Sequence, residues 1–187
     1  GPRHALGLVR AIHERHPGIT FDVTTRIEHV LERRTAWGEM AESGCAFVVS
    51  AVESLSDTVL GHLDKGHTRR DVFEALEVLE GVGIPLRPTF IPFTPWSTLE
   101  DYLELVDWIE REGLLDRVDP VQLTLRLLVP PGSELARLEV MRPHLVALAP
   151  ERFQWIWRHP DPRMDGLFDT ASRVVRQGAF ERAPASA

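Results

Sequence analysis

From residue 5 onward the chain alternates between stretches with an apolar residue every three or four positions and short runs that are apolar almost throughout. Ala5, Leu8, Val9 and Ile12 form a helical stripe, and Pro17-Gly18 stops it. "ITFDVTTRI" follows, rich in β-branched residues, and reads as a strand. A second helix is predicted from about Glu28 to Ser43, ended by Gly44, and "CAFVVSAV" is a strand apolar on both faces. A third helix, Thr68 to about Val82, stops at Gly83 and leads into "PLRPTFIPF". A fourth, Ser97 to about Glu112, stops at Gly113, and after a turn at Asp119-Pro120 comes "VQLTLRLLV". Four strands, each entered from a helix, predict an α/β fold with a parallel sheet covered by helices and joined by right-handed crossovers. A partial or full β/α barrel and an open doubly wound sheet both satisfy that pattern.

The end of the chain breaks the rhythm. "PERFQWIWRHPDPRMDGLF" is aromatic and interrupted by proline, and the helix after it carries Leu167, Ala171, Val174 and Val175. Trp155 and Trp157 alternate with their neighbours; core packing is expected of them, with one able to line a substrate mouth. The tail "RAPASA" is expected to be disordered.

Composition narrows the classes. A length of 187 residues suits one domain or a large piece of one, and 43% apolar with 26% charged residues is ordinary for a globular protein. A net charge of -7 argues against a nucleic-acid partner, which needs a basic face. No apolar run approaches the roughly 18 residues of a membrane span. No leader is apparent, which points to the cytoplasm. Cys45 is the one cysteine, so a disulfide framework or a cysteine-only metal site within this chain is excluded; following Gly44 in an apolar run, it is expected to be a buried thiol. The opening "GPRHAL" has no initiator Met, and a processed chain or a fragment is expected.

In a parallel α/β fold functional groups gather at the carboxyl ends of the strands. Those ends offer Thr25, Arg26 and Glu28; Ser50, Glu53 and Ser54; Pro92 to Trp96; and Arg126 and Pro130. One stretch, "ESLSDTVLGHLDKGHTRRD", has a full local reading. Ser54 with Asp57 would cap a short helix, Lys65 would complement the dipole of its last turn, Gly66 would end it, and Thr68 with Asp71 would cap the next. Ser97 with Glu100 would cap the fourth helix in the same way. Two details resist the purely local account. Lys65 is the only lysine beside twenty arginines, and a compact ammonium is not equivalent to a planar guanidinium at a tight anionic site. Glu53 ends an apolar strand, where a charge is usually paired or used.

Arg26, Glu28, Trp96 and Arg126 are candidate substrate contacts, weighed against local ion pairing. His159, Asp161 and Asp165 in "HPDPRMD" have metal-ligand chemistry, but the prolines favour an extended turn with solvated charges, and no metal is assigned. Two functions stay open on the residues alone: a β/α-barrel lyase with Lys65 as Schiff-base nucleophile, and a non-catalytic α/β binding domain.

The pieces "VVSAVESLSDTVLGHLDKGHT", "EALEVLEGVGIPL" and "PTFIPFTPWSTLEDYLEL" stand in an order and spacing that resemble the radical S-adenosylmethionine (radical SAM) enzymes, from about Phe21 to Glu134. "SAVES", "LDKGHT", "RLLVPPGS" and "HPDPRMD" are similar, more narrowly, to the branch named for a C-terminal tail of cysteine or selenocysteine, then Cys-Ala-Glu-Pro; that tail is not in this sequence. The resemblance implies that residues 1–149 are the later portion of a partial (β/α)6 barrel and residues 150–187 a C-terminal helical extension with a disordered tail. It implies S-adenosylmethionine contacts at Ser50, Glu53, Lys65, Thr89, Ile91 and Val129. Lys65 would face the ligand's carboxylate, Thr89 the ribose, and Ile91 and the backbone around Val129 the adenine. It also implies a [4Fe–4S] cluster on a CxxxCxxC loop, expected before Gly1, so this chain alone should hold no cluster and generate no radical. The complete enzyme would cleave S-adenosylmethionine reductively and abstract hydrogen from a small-molecule or peptide substrate, drawing electrons from a flavodoxin- or ferredoxin-type donor. Phe93 stands where the family usually has a glycine, in the turn after the third strand.

Overall fold

The computed structural model describes residues 2–182. In chain order its elements are α1 (Pro2–Arg15), β1 (Phe21–Thr24), α2 (Ile27–Glu32), α3 (Trp37–Glu42), β2 (Cys45–Glu53), α4 (Asp57–His62), α5 (Arg69–Glu80), β3 (Leu86–Phe90), α6 (Leu99–Arg111), α7 (Glu134–Arg137), β4 (Leu145–Ala149), β5 (Gln154–Trp157) and α8 (Pro162–Arg182). The expected α/β class with a parallel sheet is observed. Residues 183–187, most of the tail expected to be disordered, lie outside the described residues. Among the described residues no helix is long and apolar enough to cross a membrane.

The chain divides into two compact units, Gly1–Val52 with Gly66–Thr89, and Glu53–Lys65 with Phe90–Ala187. The first holds most of a three-stranded sheet ordered β1-β2-β3. β1 runs parallel to β2, with Val23 opposite Val48. β3 rises alongside β2: the Val48 N–H donates to the Pro85 carbonyl at 2.9 Å. Val48 and Leu86 are fully buried in this sheet. α5 shows the i, i+3, i+4, i+7 spacing, burying Val72, Ala75, Leu76 and Leu79, and it packs on α2. Thr68 and Asp71 form the expected capping box at its start.

The second unit is built on a different element set. α6 buries Leu105, Trp108 and Ile109, and Phe90 meets Trp108 edge to face at 6.3 Å. β4 and β5 form an antiparallel hairpin. Trp157 joins Leu127, Val129 and Met141 in a buried cluster, against which Trp155 also packs. Residues i and i+2 of a strand share a face, which is why both tryptophans turn the same way.

Several local expectations are corrected. The helix from Glu28 to Ser43 is broken at residues 33–36, where a 3-10 turn lets the Trp37 indole donate to the Val30 carbonyl at 3.0 Å. "VQLTLRLLV" is not a strand. Pro120 starts a 3-10 turn through Thr124, capped by Asp119, and only one parallel bridge follows, Phe93 to Arg126. The Phe90 N–H is taken by the Gln122 side-chain oxygen at 3.1 Å instead of by a strand carbonyl. Ser54 does not cap α4 with Asp57. It accepts from the Ser56 N–H, and Ser56 holds the N-cap position. Lys65 is not in the last turn of α4, which ends at His62. The cap of α6 falls one residue later than expected, on Thr98 and Asp101.

Candidate ligand site at the strand ends

Glu53 closes β2 with φ +68°, a left-handed backbone unusual for a side-chain-bearing residue. Its carbonyl still accepts from the Ile91 N–H at 2.9 Å, so pairing between the two strand ends continues through it. The left-handed turn ends the strand's regular alternation, and the carboxylate accepts a 3.1 Å hydrogen bond from Lys65 Nζ. Side-chain exposures of 16% for Glu53 and 23% for Lys65 put the pair partly out of water, where the attraction is stronger than at a free surface. Lys65 itself follows α4 on a short excursion. Its N–H returns to the Leu60 carbonyl at 3.1 Å, and Asp64 (φ +49°) and Gly66 (φ +73°) bracket it in left-handed conformations. Here two of the six expected S-adenosylmethionine contacts bond through their side chains.

Ile91 and Val129, expected to flank adenine, lie in the same unit. Val129 is fully buried and its carbonyl accepts from the Trp155 N–H at 2.8 Å; Ile91 packs against the same apolar cluster. The two substrate candidates of this unit, Trp96 and Arg126, have separate partners. Trp96 meets the His62 ring at a tilt of 42°, with centroids 4.7 Å apart, and donates to the Val140 carbonyl at 3.4 Å. Arg126 donates to Asp165 at 2.7 Å and to the Trp157 carbonyl at 3.0 Å, with its guanidinium 3.8 Å above the Trp157 ring. It ties β5 to α8.

Arg26 and Glu28, in the first unit, pair with each other. That pair closes over Gly66, with Glu28 Oε1 and Arg26 Nη2 nearest to it, and the φ of +73° there favours glycine. Beside it, the buried His67 ring bonds the Val52 carbonyl through Nε2 at 3.2 Å and brings Nδ1 to 3.9 Å from Glu28 Oε2. Ser50 is fully buried, and its hydroxyl has no hydrogen-bond partner among the described residues; Thr89 is half-buried on β3.

Among the described residues, no group of three His, Cys, Asp or Glu side chains is arranged to hold a metal ion. His159 instead donates through Nε2 to the Ser97 carbonyl at 2.8 Å and accepts the Asp161 N–H on Nδ1 at 2.9 Å. Asp161 is gripped by the Arg163 side chain and backbone, which push its pKa down to about 2. Burial pushes the Cys45 thiol up, away from the thiolate that metals and electrophiles require.

His67 and the His159–Ser97 link had no role in the sequence reading. Their partners are backbone carbonyls 15 and 62 residues away, which no local spacing encodes. The signal available for His67 was its place in "DKGHT", between a glycine and a capping threonine.

No family model matches the chain, and no curated protein matches its sequence. Solved structures do. The cobalamin-dependent S-adenosylmethionine radical enzyme OxsB with aqua-cobalamin bound superposes with TM-score 0.72 at 17% identity, over 88% of this chain and 30% of that one. The same enzyme with both aqua-cobalamin and S-adenosylmethionine bound gives the same values. The archaeal Methanocaldococcus infernus Elp3 gives TM-score 0.49 at 20% identity, over 64% of this chain and 27% of that one. This chain therefore spans under a third of the length of these relatives, and what it shares with OxsB is the fold of that part.

Proposed function

We propose that the chain is the later part of a radical SAM enzyme and that Glu53 and Lys65 receive the amino-acid end of S-adenosylmethionine. The observation that carries the reading is the fold likeness to OxsB over 88% of the chain, an enzyme that binds S-adenosylmethionine. The local chemistry agrees with it. One carboxylate and one ammonium at 3.1 Å complement the zwitterion of an α-amino acid, Glu53 toward its ammonium and Lys65 toward its carboxylate. The left-handed Glu53 is the kind of backbone outlier that concentrates at ligand sites. Ile91, partly buried in the same unit, would offer apolar surface to adenine, and the backbone around the fully buried Val129 its other flank.

Bound S-adenosylmethionine would supply a sulfonium whose cleavage yields the hydrogen-abstracting radical. A [4Fe–4S] cluster does not fit the residues of this chain. Such clusters are held by several thiolates, and this chain has a single cysteine, buried. Its ligands, the electron donor of flavodoxin or ferredoxin type, and the contacts that select a small-molecule or peptide substrate would belong to the complete enzyme. The Schiff-base alternative is disfavoured by the carboxylate on Lys65 Nζ, because a nucleophilic amine works from apolar or cationic surroundings.

Because Lys65 is the only lysine, isotope-labelled lysine gives a single side-chain NMR signal from the site. S-adenosylmethionine and S-adenosylhomocysteine should move that signal, and 5′-methylthioadenosine, which lacks the amino-acid end, should not. Lys65→Arg should weaken S-adenosylmethionine binding about tenfold, or about 1.4 kcal/mol, with little change in thermal stability. A signal that stays put at millimolar S-adenosylmethionine, or moves equally with 5′-methylthioadenosine, removes the proposal.

A further inference from the structure

We propose that His67 is a positioning residue for the Lys65–Glu53 pair. Its imidazole fastens the loop that follows Lys65 to the strand residue that precedes Glu53. In its role for a ligand this rests on the S-adenosylmethionine reading; in its role for Lys65 it does not.

The His67 side chain is 1% exposed. Its Nε2 lies 3.2 Å from the Val52 carbonyl oxygen, which can only accept, so Nε2 carries the hydrogen and donates. Nδ1 is buried, without a hydrogen-bond partner among the described residues, and 3.9 Å from Glu28 Oε2. An apolar side chain would fill such a place without leaving a nitrogen unpaired. The histidine is accounted for by the bond it makes to Val52.

That bond has consequences along the covalent chain. Val52 is joined directly to Glu53, and His67 is joined through Gly66 to Lys65. The span from 52 to 67 is thereby closed just outside the span from 53 to 65 that the ion pair closes. Two features limit the freedom of the chain on either side of His67. Gly66 holds φ +73°, a conformation that residues with a Cβ rarely adopt, beneath the Arg26–Glu28 pair. Thr68, the next residue, is fixed as the N-cap of α5 by its exchange with Asp71. A lysine has four rotatable side-chain bonds, so its ammonium is aimed only if its backbone is held. The Val52–His67 bond holds it on one side, and the Lys65 N–H to Leu60 carbonyl bond on the other.

The test uses the full chain with labelled lysine, S-adenosylmethionine as probe, and three substitutions. His67→Gln places an N–H close to the position of Nε2 and should preserve the Lys65 signal and the affinity within about twofold. His67→Leu fills the space without a donor, and His67→Asn has a donor too short to reach Val52. Both should shift and broaden the Lys65 signal of the folded protein and weaken S-adenosylmethionine about tenfold, the size usual for a residue acting through another. A purely structural histidine would lower the melting temperature in all three while leaving the folded Lys65 signal unchanged, and that result overturns the proposal. If wild type binds no S-adenosylmethionine yet the Lys65 signal moves in His67→Leu and His67→Asn but not in His67→Gln, the positioning role stands and the ligand reading falls.

Discussion

Glu53 sets a conflict between backbone and side chain that a single substitution can separate. A left-handed conformation costs a residue with a Cβ about 1 kcal/mol relative to glycine. Glu53→Ala and Glu53→Gly remove the same carboxylate from Lys65, so they differ mainly in that strain. Glu53→Gly should be more stable than Glu53→Ala by about 1 kcal/mol in urea unfolding, and both should lose the response of Lys65 to S-adenosylmethionine. Equal stabilities would mean that the φ of +68° carries no cost. The identity of this pair was legible beforehand, because an isolated lysine and a charge ending an apolar strand are both visible in the sequence. The φ of Glu53 was not, since nothing in the local sequence marks a left-handed end to β2. His67 was invisible for the same reason: its value lies in a backbone carbonyl.

At the scale of elements, boundaries written in local chemistry were readable and pairings were not. Gly44, Gly83 and Gly113 all take positive φ where a helix was expected to stop, and Thr68–Asp71 caps α5 as its spacing requires. "VQLTLRLLV" misled because an apolar run carries no signature separating a strand from a 3-10 turn and a bridge; Asp119-Pro120 tipped it to the turn. The β4–β5 hairpin escaped because "LVALA" and "QWIW" are too short to show a period. The linker from β5 into α8 yields a pH prediction. Asp161 has its pKa lowered to about 2 by Arg163, and Asp71 is also held below its ordinary value by Thr68. A carboxylate with a depressed folded pKa adds stability above its unfolded value, near 3.8, and loses it as the pH falls through the folded one. Asp161→Asn should therefore reduce, without abolishing, the drop in unfolding midpoint between about pH 4 and pH 2, and 0.5 M salt should shrink the difference because the pair is exposed. An unchanged acid limb would show that Asp161–Arg163 forms no more in the folded than in the unfolded chain.

For the molecule as a whole, the count of thiols constrains the chemistry more tightly than the fold does. A parallel α/β fold hosts many activities, and the likeness to OxsB concerns under a third of that enzyme's length. The single cysteine is a statement about capacity. Three thiolates are needed to leave one iron of a [4Fe–4S] cluster open to S-adenosylmethionine, and this chain can offer at most one, buried and with its pKa raised. The proposed division of labour follows: binding of the ligand's amino-acid end is local to this chain, and electron delivery is not. Anaerobic treatment of the chain with iron and sulfide should leave no protein-bound cluster absorption, and dithionite with S-adenosylmethionine should give no 5′-deoxyadenosine, while the Lys65 signal still responds to S-adenosylmethionine. Adding a polypeptide that carries a CxxxCxxC loop is the condition under which cleavage should appear. If the chain alone assembles a cluster, its ligands are not three cysteines, and the assignment to this chemistry has to be rebuilt from whichever side chains hold the iron.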